Sequence, residues 1–367
     1  MSEAPSHRSS SYALLFGVFS AVCVVVAVAY VWHAAKRSRV PAPSVAALGP
    51  SGAPSACAHS DGEKTAAAGL VTLDSIRSQP HVYYRSLRPG ETGRIVIASL
   101  ACPERQRWVT QLECQRAHFS SHRGICVRQT RSGLTPNAEV LLLDHDLQPR
   151  HREPLPGTVS RARISPDERF AVTTLFVTGD DYQEPGGFST RTRLFQLSPE
   201  RLLPDIEHYD VTFKGEDFVR VDLNYWGVTF RATGYELYAT LASGGTTHLI
   251  AADIANGQAR ILKENVECPS LSPSGKRLVF KKRVGAEGQW RLHVLDLATL
   301  RERPVVAEAR SIDDQVEWLD DSHVLYAVAS AAEAPTATDL WVAPVDGDTE
   351  LSARVFLKAA SSPAVVR

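Results

Sequence analysis

The chain has almost no net charge: 40 lysines and arginines face 41 aspartates and glutamates, leaving a formal −1. That excludes the basic field by which proteins hold nucleic acid, and no nucleic-acid partner is expected. Catalytic signatures are also lacking. There is no G-x-S-x-G nucleophile elbow, no phosphate-binding P-loop, no H-E-x-x-H and no C-x-x-C. The acidic pairs Asp180-Asp181, Asp313-Asp314 and Asp320-Asp321 sit in no EF-hand-type loop, so turn carboxylates facing water explain them. No catalytic residue, metal or cofactor is therefore expected.

Long apolar runs are absent with one exception. Tyr12 to Trp32 is 21 residues without a charge, and at about 1.5 Å per residue it covers roughly the 30 Å hydrocarbon core of a bilayer. A cleaved signal peptide would have a shorter apolar core behind a basic start, whereas here only Arg8 precedes a longer run. The pattern predicts a tail over 1–11, an uncleaved transmembrane helix over 12–32 and a Pro/Ala/Gly/Ser-rich tether over 33–75. Orientation is pulled two ways. Lys36, Arg37 and Arg39 after the span favour a cytoplasmic domain, while five cysteines beyond it suit an oxidising compartment. We expect the domain outside the cytoplasm.

What the chain does have is a repeat. Residues 267–306 divide into four short extended runs: Cys268–Leu271, Arg277–Lys281, Trp290–Leu297 and Arg303–Val306. Four antiparallel strands in about forty residues is one β-propeller blade, which cannot bury both faces alone. Its third run, LHVLDLATLRE, has counterparts around Leu100, Leu147, Leu197, Ile254 and Val345, spaced 47, 50, 57, 43 and 48 residues apart with Leu297 in the series. The turn between first and second strands recurs as RISPDERFAV (163–172), SLSPSGKRLV (270–279) and EWLDDSHVLY (317–326). The expectation is an all-β, six-bladed propeller over 76–367. Blade one shows only three strands, and Pro363–Arg367 has the character to return and supply the innermost. Trp226, Trp290, Trp318 and Trp341 fall in strands and read as core, and Lys281-Lys282-Arg283 reads as a solvated strand end.

Cys114 and Cys126 flank a hairpin turn at Ser120, so either a disulfide or two buried thiols is open; Cys102 and Cys268 have no assignable partners. Two connections exceed what joining strands requires, 179–190 and 208–224. In a propeller whose first strand lines the centre, both belong to one face, together with Ser311–Gln315.

The soluble region resembles the TolB-like propeller family, most closely its membrane-tethered TolB-like translocation proteins. The resemblance is carried by SRARISPDERFAVTT (160–174), FSTRT (188–192), NYWGVTF (224–230), YATLASGGTTHLI (238–250), NVECPSLSPSGKRLVFKKRVG (265–285), WRLHVLDLAT (290–299) and DDQVEWLDDSHVLYA (313–327). It implies a six-bladed, extracytoplasmic, non-enzymatic propeller. The founding periplasmic protein has an α/β domain before its propeller; residues 33–75 here are too short and too Pro/Ala-rich to form one.

The expected function is a membrane-anchored scaffold that binds a protein or peptide, in envelope translocation or sensing. The rival is a propeller hydrolase or lyase acting on glycans with loop-face carboxylates. Candidate binding residues on the loop face are Asp180, Asp181, Tyr182, Phe188, Tyr209, Asp313 and Asp314. Candidates for the central channel are Arg161, Arg163 and Glu317, with Arg116, His118 and Gln315 beside them on inner strands.

Overall fold

A computed structural model of the chain describes residues 71–132, 135–177, 189–285, 289–330, 337–347 and 352–367. The expected membrane span, the tether up to residue 70, and Asp180, Asp181, Tyr182 and Phe188 lie outside the described residues; the last part of the expected tether, 71–75, leads into a helix. Among the described residues no helix is long and apolar enough to cross a membrane.

A one-and-a-half-turn helix, α1 (Leu73–Arg77), leads in, capped by the Thr72 hydroxyl and anchored by buried Ile76. Blade one follows with β1 (His81–Ser86), β2 (Arg94–Ser99) and β3 (Arg107–Glu113). Blade two is β4 (Arg116–Phe119), β5 (Gly124–Ser132), β6 (Thr135–Leu143) and β7 (Pro149–Pro156). Blade three is β8 (Thr158–Ile164), β9 (Phe170–Val177), β10 (Ser189–Leu197) and β11 (Glu200–Leu202). Before blade four the chain forms β12 (Asp210–Phe213) and β13 (Glu216–Asp217). It then makes β14 (Asn224–Phe230), β15 (Glu236–Ser243), β16 (Thr246–Asp253) and β17 (Gln258–Glu264). Blade five is β18 (Glu267–Leu271), β19 (Arg277–Val284), β20 (Gln289–Asp296) and β21 (Glu302–Pro304). Blade six is β22 (Glu317–Trp318), β23 (His323–Ala329), β24 (Thr338–Pro344) and β25 (Arg354–Leu357). The last strand, β26 (Ala360–Val366), pairs antiparallel with β1, so Tyr83 lies opposite Ala364 and Val82 opposite Val365. The ring is closed as the sequence predicts.

Each blade's second strand is covered on both faces by its neighbours, which is why β9 and β1 read as near-continuous buried runs. Outermost strands alternate instead, as in β3, with one face in water. The buried apolar side chains fall into six clusters, one at each junction between blades. The cluster joining blades six and one brings Leu325, Leu340 and Val342 against Val82, Tyr84, Val96 and Val365.

The repeating turn owes its recurrence to side-chain chemistry. The Ser165 hydroxyl oxygen accepts from Arg169 N–H and Phe170 N–H at 3.2 and 3.0 Å. The Ser272 hydroxyl oxygen accepts from Arg277 N–H at 3.1 Å, and Gly275 takes the left-handed φ of +70° that the turn requires. In blade six Asp320 plays this part, accepting from Ser322 and His323 N–H.

Two features depart from the sequence reading. Blade four has six strands, because β12 adds in parallel to the edge of β17 and β13 folds back on β12. Residues 209–217 therefore run along the outer edge of the blade. Tyr209, expected on the loop face, is only 8% exposed, packs in the blade-four core and borders a depression along the outer edge of that blade. Lys281 is not a solvated strand end: it is 3% exposed.

Cys114 and Cys126 are bonded, with Cα atoms 5.5 Å apart. The β4–β5 hairpin pairs Cys126 with Ala117, so Cys114 reaches the bond from just before the ladder. Cys102 is also disulfide-bonded, and Cys268 is a buried free thiol.

Candidate binding site

The six innermost strands, β26, β4, β8, β14, β18 and β22, surround the central channel. The channel is crossed at mid-height by side chains. Arg163 of blade three forms an ion pair with Glu317 of blade six, Nη1 to Oε2 at 3.2 Å, with both side chains nearly buried. The same guanidinium reaches the Ser270 hydroxyl at 3.3 Å and the Val316 carbonyl at 3.2 Å. His118 of blade two accepts from Ile164 N–H at its Nδ1, at 3.2 Å, which leaves the proton on Nε2 facing Glu317 Oε2 at 3.6 Å. Glu317 Oε1 accepts from Val365 N–H at 3.2 Å and so ties the closing strand into the same cluster.

The electrostatics follow from this packing. Burial alone would raise the Glu317 pKa, but Arg163 and His118 outweigh it and hold the carboxyl at about 2. Burial pushes the His118 pKa down, with Glu317 opposing and Arg163 assisting, so the imidazole is neutral at physiological pH. Above this level Gln315 donates to Val228 O and Pro269 O at 3.1 and 2.9 Å, bridging blades four and five. The channel is thereby divided into two mouths.

The lower mouth lies among the first-to-second-strand turns and opens into a chamber of about 330 Å³, bounded by Ser120, Ser165, Ser272, Trp318 and Arg367. The upper mouth lies where blade connections and second-to-third-strand loops meet. Their common face is marked by hydrogen bonds between them. Asp222 accepts from Ser243 Oγ–H and Gly244 N–H, the Ser311 hydroxyl accepts from Trp290 N–H, and Asn265 bonds Arg283 in both directions.

At this mouth Asp313, with a side chain 65% exposed, accepts from the buried Lys281 at 2.5 Å. Lys281 also lies 4.0 Å from Glu267 and 4.6 Å from the centre of the Trp290 ring. Asp314 is buried and accepts from Ala327 N–H at 3.0 Å. Arg116 and Arg161 project from β4 and β8 beside it. Asp313, Asp314, Arg161, Arg163 and Glu317 are thus brought to one channel, and Tyr209 is not.

Sequence reasoning missed Glu267, Cys268 and Lys281 as part of this wall. Cys268 has a left-handed φ of +48°, and Gly227 on the adjacent inner strand has φ +61°. A Cβ on Gly227 would stand 2.5 Å from Cys268 Cα, so this glycine is what lets the two strands approach. The glycine itself was the available signal.

The chain matches no protein-family model and no curated protein sequence. Among solved structures it is similar to TolB from Acinetobacter baumannii, at 16% identity over 80% of this chain and 68% of that one, with a TM-score of 0.53. In fold it is a TolB-like propeller. Looser likenesses include a putative TolB from Agrobacterium tumefaciens, at 11% identity over 77% of this chain and 91% of that one, TM-score 0.44. An oligogalacturonate lyase in complex with manganese gives 11% identity over 70% and 73%, TM-score 0.44.

Proposed function

We propose that this TolB-like propeller is a membrane-anchored, extracytoplasmic scaffold that binds a protein or peptide at the upper channel mouth, with no catalytic step of its own. The observation that carries this reading is the mouth itself. Charged side chains from several blades converge there on rigid inner strands, around an exposed Asp313 held by a buried lysine. Preorganised charge on a stiff frame suits recognition, because little order must be imposed on binding.

The test is partner capture from the cell envelope with the full chain as bait. Asp313→Asn, and separately Tyr182→Ser with Phe188→Ser, should weaken capture while the melting temperature holds. Undiminished capture by both variants would move the site elsewhere. The membrane arrangement is tested by placing a cysteine at Ser51 in the tether. Labelling by an impermeant thiol reagent in intact cells is expected, and protection until lysis would reverse the orientation.

A further inference from the structure

Pairing off the charges at the upper mouth leaves a remainder. Arg163 is matched by Glu317, Lys281 by Asp313 and Arg283 by Glu267. Among the described residues no carboxylate forms an ion pair with Arg85, Arg116 or Arg161, which donate to backbone carbonyls instead. Asp314 stands nearest to balance them and already accepts from Ala327 N–H, while Asp313, held by Lys281, and the Cys268 thiol also act on Arg161.

Arg116 and Arg161 are also held together. Arg116 Nε and Arg161 Nη1 donate to the same oxygen, the carbonyl of Ser160, at 2.9 and 3.1 Å. Burial first, and the Arg161 charge second, keep the Arg116 pKa below the usual arginine range. Two adjacent like charges are unfavourable, and an incoming anion would relieve them.

The space between the two arginines is small. The cavity between Arg116, Arg161, Asp314 and Gln315 holds about 30 Å³, whereas one water needs ~10–15 Å³ on the same measure. A carboxylate group is of that size.

We propose that Arg116 and Arg161 form a carboxylate pocket that receives the acid group of a peptide segment docking on the upper face. This rests on the reading of the propeller as a peptide-binding scaffold. The two guanidiniums supply forked N–H donors in the geometry that planar carboxylates accept.

The arginine Nε–H resonances of the full chain, followed by NMR, test it with three probes. These are acetyl-Gly-Asp-Gly-amide, acetyl-Gly-Asn-Gly-amide and acetyl-Gly-Gly-Gly with a free terminal carboxylate. The aspartyl peptide is expected to move the Arg161 resonance saturably and the asparaginyl peptide to leave it in place. Binding of the third peptide instead would assign the pocket to a chain terminus rather than a side chain. Arg116→Gln and Arg161→Gln should each weaken the aspartyl peptide by at least about tenfold. Arg161→Lys, which keeps the charge but not the fork, should fall between. Equal response to the asparaginyl peptide, or no response to any, overturns the pocket, as does unchanged affinity in an Arg161→Gln variant of normal melting temperature. Envelope-partner capture that survives Arg161→Gln while the peptides stay silent sinks the pocket alone and leaves the scaffold reading standing.

Discussion

Glu317 and Arg163 come from blades six and three, on opposite sides of the ring, and pair across the channel at 3.2 Å. One interaction thus spans the full width of the inner wall. Removing the carboxylate strands a nearly buried guanidinium, a loss of about 3 kcal/mol or more. Glu317→Gln should lower the denaturation midpoint accordingly. An acid-stability profile adds a second check. The folded pKa of Glu317 is about 2, against about 4.3 unfolded. Its contribution is therefore complete above pH ~4.3 and lost as the pH falls toward 2. The variant should lack that part of the acid transition; a profile parallel to the parent's would contradict the assignment.

Glu207 should act with the opposite sign. Burial first, with Asp205 adding, raises its pKa to about 7, while Thr192 N–H and the more distant Arg191 oppose. Its Oε1 accepts from Thr192 N–H at 2.6 Å, but Oε2 is buried without a partner, near the equally unpartnered Tyr225 hydroxyl. The unfolded chain loses this proton near pH 4.3 and the folded one near 7, so stability is lost between those values. Glu207→Gln should stabilise the protein by about 2–3 kcal/mol at pH 8 and change little at pH 4. Equal effects at both pH values would rule the titration out.

Gly227→Ala should destabilise by about 2–3 kcal/mol, because its Cβ meets the Cys268 backbone and its φ is +61°. Urea unfolding measures it, and a neutral result would mean that β14 and β18 can part without cost.

Deleting Ser361–Arg367 removes the inner strand of blade one and exposes the edge of β1, along with Val82 and Tyr84. The melting temperature should fall by at least about 5 °C, or the transition should lose its cooperativity. A truncated protein that melts like the full chain would show that the β1–β26 pairing is dispensable.

The blades were legible because each repeats one local chemistry. A serine or aspartate turn and a doubly buried second strand leave the same text at Ser165, Ser272 and Asp320. The channel residues Arg161, Arg163 and Glu317 were legible by register, since an inner strand has only one place to point its polar side chains. Tyr209 misled because β12 joins its sheet in parallel, a pairing across some fifty residues that no periodicity announces. Lys281 misled because a lysine in a basic run looks solvated, and only the fold shows that Asp313 from the next blade covers it. The pairing of Glu317 with Arg163 likewise depends on blade count, since only with six blades do the third and the sixth stand opposed.

The pairing of β26 with β1 also sets an order of events during synthesis. Blade one is made first yet lacks its inner strand until nearly the whole propeller has followed. A chain still emerging from the ribosome, or still crossing a membrane, must carry an incomplete first sheet with β1 unpaired along one side. Local pairing can build blades two to six one at a time, but joining the first to the last is the most distant contact in the fold and comes late. The unfinished ring presents both an open β edge and the apolar faces of blades one and six throughout that interval. The cell must keep other strands away from that seam until the last segment arrives.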